Sequence, residues 1–190
     1  MSEQFVEQAK ANMGAIERLL KGLPGIQGYT DKELRRDADK RLRDLLAAQL
    51  AEQKQHLLAV QQRLLQSGGL RWLDDVDQVV QKVQILIDRI RTASYGYAGL
   101  FDAVRIREEQ LAALHRFDEA LAGQIAEIAK SINQLTGAVA TVATDSTAFQ
   151  QALNQLLDQV VAMDLLFNRR HNAVLSPDLL TDTHDLPTVQ

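Results

Sequence analysis

Four histidines and a few acids are the residues of this chain with types and spacing suited to chemistry. Glu52 and His56 stand four apart, which on a helix puts a carboxylate and an imidazole on one face. His115 and Glu119 repeat that spacing in reverse order. Such a pair can hold a metal ion loosely, and helical proteins that build a di-metal centre use E-x-x-H pairs on facing helices. No E-x-x-H occurs here, so each pair reads as a surface ion pair. His171 follows Arg169 and Arg170, where positive charge suits the C-terminal end of a helix. His184 is in the tail, and no histidine pairs in sequence with a nucleophile and an orienting acid. There is no cysteine, which removes disulfides, thiolate zinc sites, iron–sulfur clusters and cysteine nucleophiles together. Neither a G-x-x-x-x-G-K-[ST] loop nor a G-x-G-x-x-G after a strand is present. The sequence thus predicts no catalytic residue, no cofactor and no metal.

Three stretches are better suited to contact. Phe5, Ala9, Met13, Ile16 and Leu20 share one face of a helix expected from about Glu3 to Lys21. That face could meet a membrane or a partner, or pack on the rest of its own chain; Glu3, Glu7 and Glu17 would repel anionic lipid. Lys32, Arg36, Lys40 and Arg43 form a basic stripe that could meet phosphates or lipid head groups. The same region holds acid-before-base pairs, Asp31–Arg35, Asp37–Arg41 and Asp39–Arg43, and reads first as a solvated, self-paired face. SYGYAGLFD, residues 94–102, carries Tyr95, Tyr97 and Phe101, either as a recognition loop or oligomer contact or as an aromatic cap on the end of a bundle.

The elements that position these stretches are helices. Leu70 to Ala93 is the central one: Leu73, Val76, Val80, Val83, Ile87 and Ile90 alternate steps of three and four, widened by Trp72, Val79 and Leu86. GLPGIQGYT, residues 22–30, is a joint, and Thr30 with Glu33 forms a T-x-x-E capping box that starts a helix running to about Gln66. Ser67, Gly68 and Gly69 leave room only for an antiparallel hairpin. A further helix is expected from about Glu108 to Leu135, then a loop or a helix broken near Gly137. Asp145 or Ser146 can cap a last helix ending around Ala173 to Leu175, and the tail from 176 to 190 is expected to be mobile. Proline occurs only at positions 24, 177 and 187, leaving the interior free for long helices.

Composition agrees: 46% apolar, 24% charged and only 5% aromatic, ordinary for a soluble globular chain and favouring helix over sheet. A net charge of −4 argues against general nucleic-acid binding. No window reaches the roughly 18 consecutive apolar residues of a membrane span, and the start lacks the pattern of a signal peptide.

LPGIQGYTDKELRRDADKRLRD at 23–44, YGYAGLFDAVRIREEQL at 95–111 and LDQVVAMDLLFNRRHNAVL at 157–175 together resemble an uncharacterised family of bacterial all-helical proteins. In that pattern a G-[IF]-x-G-Y joint precedes a charged helix and a Y-G-Y-[AS]-G-[LF]-F-D loop precedes an E-x-x-L helix. The resemblance implies a membrane-linked helper role beside membrane-stress scaffolds of the phage-shock protein A and band-7 type. The plan of an amphipathic first helix, a joint and long antiparallel helices is also similar to phage-shock protein A itself. The glycine breaks at 68–69 and 96–99 depart from it, and no functional residue carries over.

The expectation is an all-α, elongated, antiparallel and coiled-coil-like bundle of about five helices. It comprises a first helix (1–21), a joint (22–29), the bundle (30–175) and a tail (176–190). The expected function is a non-catalytic scaffold or adaptor in the cytoplasm, at the inner face of a membrane if the first helix docks there. It would work through a protein partner or self-association. A soluble regulatory module with no membrane role is the alternative, and a metal-binding enzyme the third.

Overall fold

In the computed structural model, three-four apolar spacing becomes four long helices. Residues 32–93 and 108–175 are described, with side chains described over 40–93 and 116–172. The helices are α1 (Lys32–Gln66), α2 (Leu73–Thr92), α3 (Glu108–Ala138) and α4 (Thr147–Leu175). No strand occurs among the described residues, so this part of the chain is all-α. The expected first helix, the joint, the 94–102 loop and the tail lie outside the described residues.

Each helix turns its apolar stripe inward. Leu46, Leu50, Leu57 and Leu64 of α1 meet Val76, Val83, Ile87 and Ile90 of α2 in one continuous core with Leu121, Ile128, Ile132 and Leu135 of α3 and Phe149, Leu156, Val160 and Met163 of α4. All of these are almost inaccessible to solvent, and burial of such a side chain stabilises by about 1.5–3 kcal/mol. The main packing pairs are α1 with α2 and α3 with α4; α1 also packs on α3, and α2 on α4.

Side-chain bridges give the directions. Lys54 Nζ donates to Gln84 Oε1 at 2.6 Å and Gln61 Nε2 donates to Asp77 Oδ1 at 3.3 Å. Arg43 meets the end of α2, so residue numbers on α1 rise as those on α2 fall and the pair is antiparallel. Arg71 of the turn leading into α2 reaches Ser146, and Arg89 reaches Asp164 and Asn168. The numbers rise together, so α2 and α4 run parallel. The short 139–146 connection and the Asp118–Arg170 contact at the far end make α3 and α4 antiparallel.

Both turns differ in detail from the expectation. The Gly69 N–H donates to the Leu64 carbonyl at 3.0 Å and Gly68 adopts φ +73°, which is the 6→1 bond and left-handed residue of a Schellman cap. Gly69 is needed for a second reason: a Cβ there would stand 2.5 Å from Leu64 Cδ2 and 3.0 Å from Val142 Cγ1. Residues 70–72 form a 3-10 turn, so α2 begins at Leu73 instead of Leu70. Gly137 does not break its helix. α3 runs through it to Ala138 and passes into a 3-10 turn, Val139–Thr141, because no side chain crowds that position and Val139 and Val142 are drawn into the core. Asp145 then accepts the Thr147 N–H at 2.9 Å and starts α4, and this bond holds its carboxyl below the usual carboxylate range.

Candidate functional site

Off-register apolar residues mark the outer surface where α2 lies beside α4. Arg71 and Arg89 are 18 residues apart, close to five helical turns, and so are their partners Ser146 and Asp164. The two arginines stand on one line along the α2 side and their partners on one line along the α4 side. They bridge a furrow about 27 Å long at both ends. Arg89 is held by two acceptors, Asp164 and Asn168, and Asn168 Nδ2 donates back to Asp164 at 3.4 Å.

Between the bridges the furrow is apolar at one end and hollow at the other. Ile85 lies one turn before Arg89 on α2, and Val161 lies one turn before Asp164 and Leu165 on α4. Ile85, Val161 and Leu165 are 59%, 44% and 58% exposed, among the few large apolar side chains not packed away. Toward the other end is a cavity of about 190 Å³ lined by Trp72, Val79, Leu153 and Leu157 together with the polar Asp75, Gln78, Gln150 and Asn154. It adjoins a shallower hollow of about 380 Å³ between Arg71, Trp72, Asp75, Ser146 and Gln150.

Trp72 organises this corner. Its ring centroid lies 5.6 Å from that of Phe149, with the planes tilted by 50°, and the Arg71 guanidinium lies over the ring at 5.0 Å from its centroid. The second contact is a cation–π pair. The indole Nε1 is buried with no hydrogen-bond partner among the described residues. Helix starts favour negative groups, and Asp74, Asp75 and Asp145 already supply them here. The corner is therefore poorly matched to an anion.

The residues expected to act lie elsewhere. Phe5, Met13, Ile16, Leu20, Tyr95, Tyr97 and Phe101 are outside the described residues, and Lys32 and Arg36 lie on α1 without described side chains. Lys40 is exposed on α1. Arg43 is not part of an exposed stripe: it is buried, and its Nη1 donates to the Ile90 and Arg91 carbonyls at 3.4 Å. Those carbonyls belong to the last turn of α2, where a cation offsets the negative end of the helix dipole. Asp118 and Arg170 form a second buried charge site, with Arg170 Nε donating to Asp118 Oδ1 at 2.5 Å.

Of the metal candidates, Glu52 and His56 share a face of α1 as their spacing requires. Burial lowers the His56 pKa from its ordinary value, more than the nearby Glu52 carboxylate raises it. His115 lies on α3 without a described side chain, and His171 is half-buried on α4. No group of three metal-ligating side chains comes together among the described residues. No described helix is long and apolar enough to cross a membrane.

Sequence reasoning passed over Ile85, Val161 and Leu165, although a signal was present. They are among the large apolar residues left over when the three-four stripes 76–80–83–87–90 and 149–153–156–160–163–167 are drawn, a set that also holds Val79, Leu86, Leu157 and Leu166.

No family model matches the chain, no curated protein does, and no solved structure does.

Proposed function

We propose that this chain is a non-catalytic helical scaffold or adaptor that acts by helix-mediated association, with a peripheral contact at the inner face of a membrane. The observation that supports it most is the furrow between α2 and α4, where apolar side chains face outward on two adjacent helices. Patches of this kind are contact surfaces more often than reaction sites. The finer architecture belongs to the same reading: an elongated antiparallel bundle in which residues 3–21 are the fifth helix and supply the contact through Phe5, Met13, Ile16 and Leu20. Tyr95, Tyr97 and Phe101 would add a partner contact, and Lys40 with Lys32 and Arg36 a basic one. The net charge of −4 supports a partner other than nucleic acid. The link to membrane stress rests on the likeness of residues 23–44, 95–111 and 157–175 to the bacterial helical family named above.

Flotation with anionic vesicles tests it. The full chain is expected to float, and Ile16→Asp or deletion of residues 1–21 is expected to abolish flotation. A full chain that stays at the bottom of the gradient overturns the membrane contact and leaves a soluble regulatory module.

A further inference from the structure

The furrow has the length, the spacing of apolar features and the position to hold a segment of its own chain. We propose that residues 3–21 dock as a helix between α2 and α4, parallel to both, with Phe5 over the Trp72 cavity and Ile16 and Leu20 against Ile85, Val161 and Leu165. Three observations support this.

The first is register. From Phe5 to Ile16 is 11 residues, and so is the distance along α4 from Gln150, the first α4 residue lining the cavity, to Val161. Along α2, Asp75 of the same lining lies 10 residues before Ile85. A parallel helix with Ile16 beside Ile85 and Val161 therefore brings Phe5 to the cavity and Leu20 to Leu165, with Ala9 and Met13 facing the furrow between. A ring entering the cavity finds Trp72, Val79, Leu153 and Leu157 among the eight residues that line it.

The second is length. Residues 3–21 as a helix span about 28 Å, close to the distance of about 27 Å between the two arginine bridges.

The third is reach. Arg43 lies level with Ile90 and Arg91, and α1 continues 11 residues further back to Lys32. The start of α1 thus stands about 16 Å beyond the end of α2, and about one helix diameter to the side. Residues 22–31, between the segment and the first described residue of α1, cover up to about 33 Å when extended, enough to cross the end of α2 and enter the furrow at its Leu165 end. Entry there sets the direction, since the segment then runs alongside α2 and α4 in their own sense. A tether this short also gives the segment an effective concentration on the order of millimolar, well above that of a second copy.

Docking covers the furrow as well as the apolar stripe, so both surfaces are open to lipid or a partner only when the segment is released. The docking itself stands on this geometry; its role as a brake on association rests on the proposed membrane contact.

Trp72 is the single tryptophan of the chain, so its fluorescence reports on the cavity. In the full chain, Phe5→Ala is expected to raise acrylamide quenching of Trp72, and deletion of residues 1–21 to raise it further. Amide exchange in residues 5–20 is expected to be slowed roughly tenfold or more by docking, and Leu165→Asp to remove that protection with helical content otherwise kept. Trp72 quenching that ignores the deletion, or exchange in 5–20 that ignores Leu165→Asp, overturns the proposal. So does protection that fades with dilution, which would make the occupant a second copy. Vesicle binding is a separate readout, so failure of the docking and failure of the membrane contact are distinguishable.

Discussion

On its α1 side, α2 is tied at three heights, by Lys54 to Gln84, by Gln61 to Asp77, and by Arg43 to the carbonyls of its last turn. On its α4 side the polar ties among the described residues are Arg71 and Arg89, near the ends of the furrow, which also holds a cavity, an indole N–H with no partner among those residues and three exposed aliphatic side chains. The same helix therefore has a finished flank and an unfinished one. The difference follows from chain connection. The α1–α2 turn is short and capped, which fixes the register of that pair closely, whereas α2 and α4 are far apart in sequence and meet through the core and the two arginine bridges. The finished flank serves stability. The open one is where an additional element fits.

Substitutions can break that comparison. Asp118→Ala leaves Arg170 buried without the carboxylate and is expected to cost about 3–5 kcal/mol in chemical denaturation. Replacing both with apolar residues of similar volume should recover most of the loss, because the pair holds α3 to α4 and takes no part in the furrow. Ile87→Ala and Ile85→Ala set the core of α2 against its outer surface two residues away. The first is expected to cost about 2–5 kcal/mol, the second about 1 kcal/mol or less, by the same denaturation measurement. Equal losses would mean that Ile85 is as much a core residue as Ile87.

Gly69→Ala tests the capped turn. Its Cβ would meet the Leu64 and Val142 side chains, and overpacking of this kind is expected to lower stability by about 1–3 kcal/mol. The smallest effect is pH-dependent. The folded chain holds the His56 proton less tightly than the unfolded chain, because burial lowers its pKa from 6.5. Stability from this group is present above pH 6.5 and is lost as the pH falls through the lowered folded value. His56→Gln is expected to flatten that part of a melting-temperature profile.

The helices were legible because their stripes are long and unbroken by proline. The end expected at about Gln66 is the end observed, and the helices expected from about Glu108 and up to Ala173–Leu175 are helical throughout their described residues. Gly137 misled because glycine is a weak breaker when tertiary packing on both sides favours helix. The buried charges were not legible. Arg43, Asp118 and Arg170 occupy inward positions, but a charged residue at such a position reads as the edge of a polar face until its partner on another helix is known. Arg170 continues the α4 stripe three residues after Phe167, so the position was visible and its meaning was not. The furrow escaped for the opposite reason: Ile85, Val161 and Leu165 fall outside the stripes, and only the parallel register of α2 and α4 brings them to adjacent turns.

Light scattering after size exclusion, with and without anionic vesicles, tests most directly the claim that this molecule works by association. The account predicts a species heavier than one chain of 21.2 kDa or co-migration with the vesicles. A single chain that keeps that mass at every concentration and ignores the lipid would contradict it.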